Sequence, residues 1–136
     1  MLTPAQLDVV FAALDADLGL DTLWVHGSEA KGTARPDSDL DLAGLFRTRK
    51  DRAGQHRVAF ELSDRLGRTV DLVDFDTCPP TLAMQILRHG RLLHDSNPRR
   101  RAEAVIRTLT AYADLKLSRA PIEAALVRWS LSDARS

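Results

Sequence analysis

A glycine–serine pair followed at a set distance by two aspartates constrains this chain more than any other feature. It lies in WVHGSEAKGTARPDSDLDLAGLF, residues 24 to 46, where ten residues separate Gly27-Ser28 from Asp39-Leu40-Asp41. Leu23, Trp24 and Val25 form an apolar, β-prone run that stops at the glycine. Polar, glycine-containing residues follow, and DLDLAGLF resumes as a strand with carboxylates at i and i+2. Side chains alternate across a strand, so Asp39 and Asp41 point to one face. Like charges side by side repel, and each loses hydration when half buried. A divalent cation between them resolves both costs. Mg²⁺ prefers carboxylate oxygen and shares its coordination sphere with substrate phosphates.

The glycine turn supplies the complementary half of a site. Gly27 lets the backbone approach a ligand with no Cβ in the way. Ser28 offers a hydroxyl and opens a short helix, whose first N–H groups can bind an anion. A phosphate cradle beside a metal-binding strand is the apparatus of phosphoryl or nucleotidyl transfer. Lys31 and Arg35, between cradle and strand, are either solvated loop charges or contacts to a triphosphate, where positive charge offsets developing negative charge. Gly27 and Gly32 are spaced like the glycines of a P-loop, but Thr33 and Ala34 follow where Lys and then Ser or Thr are needed. The third glycine of a dinucleotide fingerprint is missing too.

A second acidic run, VDLVDF at residues 70 to 75, reads as another strand. Asp71 lies on one of its faces, and Asp74, with Asp76 beyond it, on the other. Only one face can meet Asp39 and Asp41, and strand geometry leaves open which. His26, at the end of the first strand, reads as a packing or hydrogen-bonding residue rather than a ligand, and Cys78 as structural. The Arg99-Arg100-Arg101 run reads as decoration of a helix start, with a partner or nucleic-acid contact as the alternative.

With 136 residues, one domain spanning 1–136 is expected, large enough to bury a core without staples. Nineteen basic and nineteen acidic residues give a formal net charge of zero, which speaks against sequence-independent nucleic-acid binding. Aromatic residues are only 5% of the chain, too few for base-stacking platforms. Cys78 is the single cysteine, so no disulfide forms within the chain and a reducing cytoplasm is expected. The N-terminus has no basic n-region or long apolar stretch, so no signal peptide is expected, and no run approaches the ~20 apolar residues of a membrane span.

Helical and strand patterns alternate. Thr3 and Pro4 open a helix with Leu7, Val10, Phe11 and Leu14 on one face, ended by Gly19. Strands are expected at 22–26, 39–46 and RTVDLVDF, and a short one at RLLHD. A short helix and loop are expected at 28–33, helices at 52–65 and from Pro79-Pro80 to His89, and a C-terminal helical segment over about 98–131. Pro121 marks a break or fresh start there, after which Ile122, Leu126 and Trp129 share one face. The alternation implies an α/β (α+β) two-layer domain with a mixed sheet flanked by helices.

Gly27-Ser28, ten residues, then Asp39-x-Asp41 resembles the signature of the DNA polymerase β nucleotidyltransferase superfamily, and GSEAKG…RPDSDLDL is similar to its minimal nucleotidyltransferases. The length and layout resemble the nucleotidyltransferase antitoxins paired with HEPN-domain toxins in type VII toxin–antitoxin modules. The resemblance implies a polymerase-β-like fold and a third metal carboxylate at Asp71. It implies catalysis by Asp39, Asp41 and Asp71 holding two Mg²⁺ ions, with Gly27, Ser28 and Lys31 on the nucleotide. It further implies ATP as donor, a tyrosine of a HEPN toxin as acceptor, and AMP transfer that silences the toxin. Two other readings are a nucleotidyltransferase acting on an antibiotic hydroxyl and an antitoxin that neutralises by binding alone. The absence of a second substrate domain argues against the first, and the clustered carboxylates against the second.

Overall fold

The apolar run around Trp24 becomes the spine of the protein. In a computed structural model describing residues 2–35 and 38–134, it forms β1 (Leu20–His26), buried from Leu20 to Val25. Helix α1 (Pro4–Leu18) precedes it, with Thr3 and Gln6 forming a reciprocal capping box at its start. Helix α2 (Gly27–Lys31) follows directly. Then come β2 (Leu40–Phe46), α3 (Arg52–Leu66), β3 (Val70–Asp74), α4 (Pro80–His89), β4 (Arg91–Asp95) and α5 (Pro98–Ala134). These elements match the expected order, and the sheet is mixed and flanked by helices as expected.

The strand order is β3-β2-β1-β4. β1 pairs antiparallel with both β2 and β4, whereas β2 and β3 run parallel and are joined through α3. A parallel pair needs such a crossover. Alternation divides the apolar side chains between the two faces. Leu23, Val25, Leu40, Leu42, Val70 and Leu72 pack with α1 and α3 through Val10, Leu14, Val58 and Leu62. Trp24, Ala43 and Leu45 face the other way, onto Phe75, Ile86 and Ala104. The polar members of that second face, Asp41 and Asp71, share it with Trp24.

The arginine run at the start of α5 is not surface decoration, as the sequence reading had it. Arg99 is exposed and pairs only with Glu103. Arg100 turns inward: its guanidinium donates to Asp21 Oδ2 at 2.8 Å, Asp76 Oδ2 at 2.8 Å and the Phe46 carbonyl at 2.9 Å. Arg101 donates to Asp95 at 2.7 Å. Asp76, just beyond β3, is thus the anchor of α5, and Arg107 also pairs with it. A cation–π contact between Arg88 and Tyr112, 5.5 Å from the ring centre, adds a tie between α4 and α5.

Pro121 does not break α5, which runs as one helix from Pro98 to Ala134. Proline removes the N–H that would serve the Leu117 carbonyl. Leu117 is exposed, so water can serve that carbonyl instead. Arg100→Met is expected to lower unfolding free energy by about 2 kcal/mol, the scale of hydrogen bonds to charged groups. Arg99→Met should change it by less than about 0.5 kcal/mol. Urea denaturation of both variants checks the contrast.

Candidate functional site

Register, rather than spacing, gathers the carboxylates. Asp41 of β2 lies directly opposite His26 of β1 on one side and Asp71 of β3 on the other. Three polar side chains therefore stand in a row across adjacent strands at one end of the sheet. This settles which face of VDLVD meets Asp41: Asp71 does, whereas Asp74 pairs with Gly44 and takes part in the following turn, accepting from the Asp76 N–H at 3.0 Å. Asp39 stands one residue before β2 and is exposed. Among the described residues, no three carboxylate, imidazole or thiol side chains are already drawn into a metal cage. Asp41 and Asp71 are opposed, and Asp39 flanks them.

The cradle sits against this row. Gly27 has φ +66°, in the left-handed region that favours glycine, and a Cβ there would strike Asp41 Oδ2. Only glycine lets the turn come this close to the carboxylate. Ser28 is the second residue of α2, in its first turn, and Gly32 caps the helix in a left-handed conformation. Lys31 lines a pocket of about 390 Å³ together with His26, Gly27 and, from α4, Thr81, Gln85 and His89. The structure thus places Gly27, Ser28 and Lys31 on one short element, next to Asp41.

The electrostatics are those of crowded negative charge. The Asp41 carboxyl is pushed above its ordinary value of 3.8, first by burial and then by the charges of Asp71 and Asp39, against the opposing pull of His26 and Arg68. His26 is pushed below its ordinary 6.5 by burial, with Asp41 and Asp71 drawing it back up. Its Nε2 is buried without a hydrogen-bond partner among the described residues. Cys78, half buried, donates its thiol weakly to the Phe75 carbonyl at 3.5 Å, in keeping with a structural role.

Two residues beside the site escaped the sequence reading. Glu29, in the middle of α2, is buried, and Arg68, just ahead of β3, lies against it. The one signal was a charged residue inside the cradle helix, and nothing local names its partner. The polar stripe Thr81, Gln85 and His89 was legible as i, i+4, i+8 positions of a helix but was not singled out.

The chain belongs to the polymerase β nucleotidyltransferases: residues 12–99 match the family described as Polymerase beta, Nucleotidyltransferase. It is similar to the protein adenylyltransferase MntA of Shewanella oneidensis, with 29% identity over 103 residues, 76% of this chain and 73% of that protein. Solved structures share the fold, among them the two that follow. One is a toxin–antitoxin with AMP-PNP, 24% identical with a TM-score of 0.79, covering 89% of this chain and 98% of that one. The other is a tri-AMPylated Shewanella oneidensis HEPN toxin in complex with MNT antitoxin, 21% identical with a TM-score of 0.75, covering 90% and 97%.

The raised Asp41 value has a signed consequence. A carboxyl that holds its proton more tightly folded than unfolded makes stability fall as pH rises from about 3.8 through the raised value. Metal-free Asp41→Asn is therefore expected to be at least as stable as the wild type near pH 7 and to lack this part of the pH dependence. Urea titrations across about pH 4 to 7 measure it. Unfolding of Asp41→Asn near neutral pH would make the aspartate structural.

Proposed function

We propose that this chain is the antitoxin of a toxin–antitoxin pair and transfers AMP from ATP to a tyrosine hydroxyl of a HEPN toxin. The observation that carries the reading is the row Asp71–Asp41–His26 with Gly27 packed against Asp41. The family match, and relatives named as an adenylyltransferase and as an antitoxin beside an AMPylated HEPN toxin, support the same reading.

The donor set fits Mg²⁺, which takes hard oxygen ligands from one or two carboxylates and completes its sphere with phosphates and water. Asp39, Asp41 and Asp71 would hold two such ions, which when bound offset the charge that gathers on the attacking and leaving oxygens. The chain's own residues do the rest. Gly27 and Ser28 hold the β- and γ-phosphates, and Lys31 adds positive charge beside them. Asp71 accepts the proton of the acceptor hydroxyl. The hydroxyl oxygen bonds to the α-phosphorus, the bond to the β-phosphate breaks, and pyrophosphate leaves with the electron pair. A cytoplasmic location belongs to this reading. Among the described residues no helix is long and apolar enough to cross a membrane.

The toxin also needs a docking surface, and α5 offers one. Ala104 and Thr108 are buried on the domain and Ala111 and Leu115 half buried. Continuing at helical spacing, the same stripe reaches Ile122, Leu126 and Trp129, which are 62%, 58% and 71% exposed. The face that packs on the domain thus runs on uncovered, and the toxin would cover it. Tryptophan truncation at such anchors costs ~2 kcal/mol or more, roughly 30-fold in affinity.

Incubation with the toxin and ATP labelled at the α- or γ-phosphate tests the transfer: label should pass to the toxin from the α position only and require Mg²⁺. Transfer from the γ position would mean a kinase, and toxin neutralisation without any label would mean inhibition by binding. Trp129→Ala should weaken toxin binding roughly 30-fold and leave ATP binding and the melting temperature nearly unchanged. A large fall in melting temperature with unchanged toxin affinity would place the helix in the core and recognition elsewhere.

A further inference from the structure

A charged residue inside the cradle helix has no part in the chemistry above. The Glu29 side chain has 0% exposure, and Arg68, at 6%, faces it with Nη2 3.6 Å from Oε2. Burying a carboxylate with a guanidinium forfeits the hydration of both, and apolar side chains of similar volume often serve stability as well or better. What the pair supplies is direction, because a guanidinium is a rigid fork of donors. Arg68 Nε donates to the Ser38 carbonyl at 2.9 Å, and its Nη2 reaches the Asp39 carbonyl at 3.5 Å. Alongside, the Leu40 N–H donates to the Thr69 carbonyl at 2.8 Å. One arginine thus joins α2, through Glu29, to the segment that delivers Asp39. That segment needs the tie: the strand ladder begins only at Leu40, and Asp39 is exposed ahead of it.

We propose that Arg68, held in place by Glu29, is a positioning residue that sets the Asp39 backbone relative to the Asp41–Asp71 pair and to the cradle. The ion pair then adds a link from the cradle helix to Asp39 to the strand pairing that already sets His26 and Gly27 beside Asp41. Partners that orient metal-binding groups typically contribute 10–100-fold to metal affinity, and that is the scale expected here. The proposal rests on the reading of these carboxylates as a metal site.

Removing Glu29 and Arg68 together leaves neither of the two buried opposite a missing partner. Glu29→Met combined with Arg68→Met is expected to melt at or above the wild-type temperature. Its affinity for Mn²⁺ in the presence of AMP-PNP, read by electron paramagnetic resonance of the free ion, should nevertheless fall at least about tenfold. Arg68→Lys keeps a positive charge beside Glu29 but loses the fork, and should show the same loss in a folded protein. Wild-type Mn²⁺ affinity in either folded variant overturns the positioning role while leaving the metal site intact. Failure of both variants to fold assigns the pair to the core and overturns it as well. A wild type that binds no more Mn²⁺ than Asp41→Asn overturns the metal reading and the proposal together.

Discussion

Two carboxylates held side by side on neighbouring parallel strands are the constraint around which this protein is built. The register that sets Asp41 opposite Asp71 opposes like charges across strands about 5 Å apart. At about 4 Å such a pair costs about 1 kcal/mol in water and about 4 kcal/mol near a protein surface. The register survives because the opposite face of the same strands is Leu40, Leu42, Val70 and Leu72, all buried. Each contributes about 1.5–3 kcal/mol on burial, and a one-residue slip of either strand would move its two to the face that carries the charged row. The hydrophobic face wins over the repulsion, and the charged row is carried as a consequence.

Everything near the row then serves to bring other groups close to it. Gly27 is needed because any side chain would occupy the space of the Asp41 carboxylate. The Arg100 network fastens β1, the end of β2 and the turn after β3 to the start of α5, on the same sheet face as the row but toward its other end. Rigid anchoring there leaves the carboxylate end open toward α4 and its polar stripe. On this face of the sheet the arginine ties thus hold one end and the carboxylate row occupies the other.

How much of this was legible in the sequence follows from the range of each signal. The cradle and the Asp39–Asp41 pair are local, so spacing and strand alternation were enough to find them. The limits of α1, α3 and α4 were read to within a residue or two, because helix-start and glycine signals are local as well: Thr3 with Pro4, Gly19, Pro79-Pro80. The choice between Asp71 and Asp74 turns on the pairing of β3 with β2, which alternation along one strand cannot supply. Glu29 with Arg68, and Arg100 with Asp21, are contacts between residues far apart in the chain. Each partner alone looks like an ordinary surface charge. Pro121 misled for the opposite reason: a sound local rule was applied to a stretch of helix exposed enough to tolerate the missing hydrogen bond.

A crystal structure of the chain with Mg²⁺ and AMP-PNP tests the central claim most directly, that the carboxylate row and the glycine turn form one nucleotide site. The β- and γ-phosphates should lie against Gly27 and Ser28, with metal between Asp41 and Asp71 at about 2.1 Å from their oxygens. Phosphates seated at the other end of the sheet, among Arg49, Lys50 and His56, with no metal on the aspartates, would contradict it.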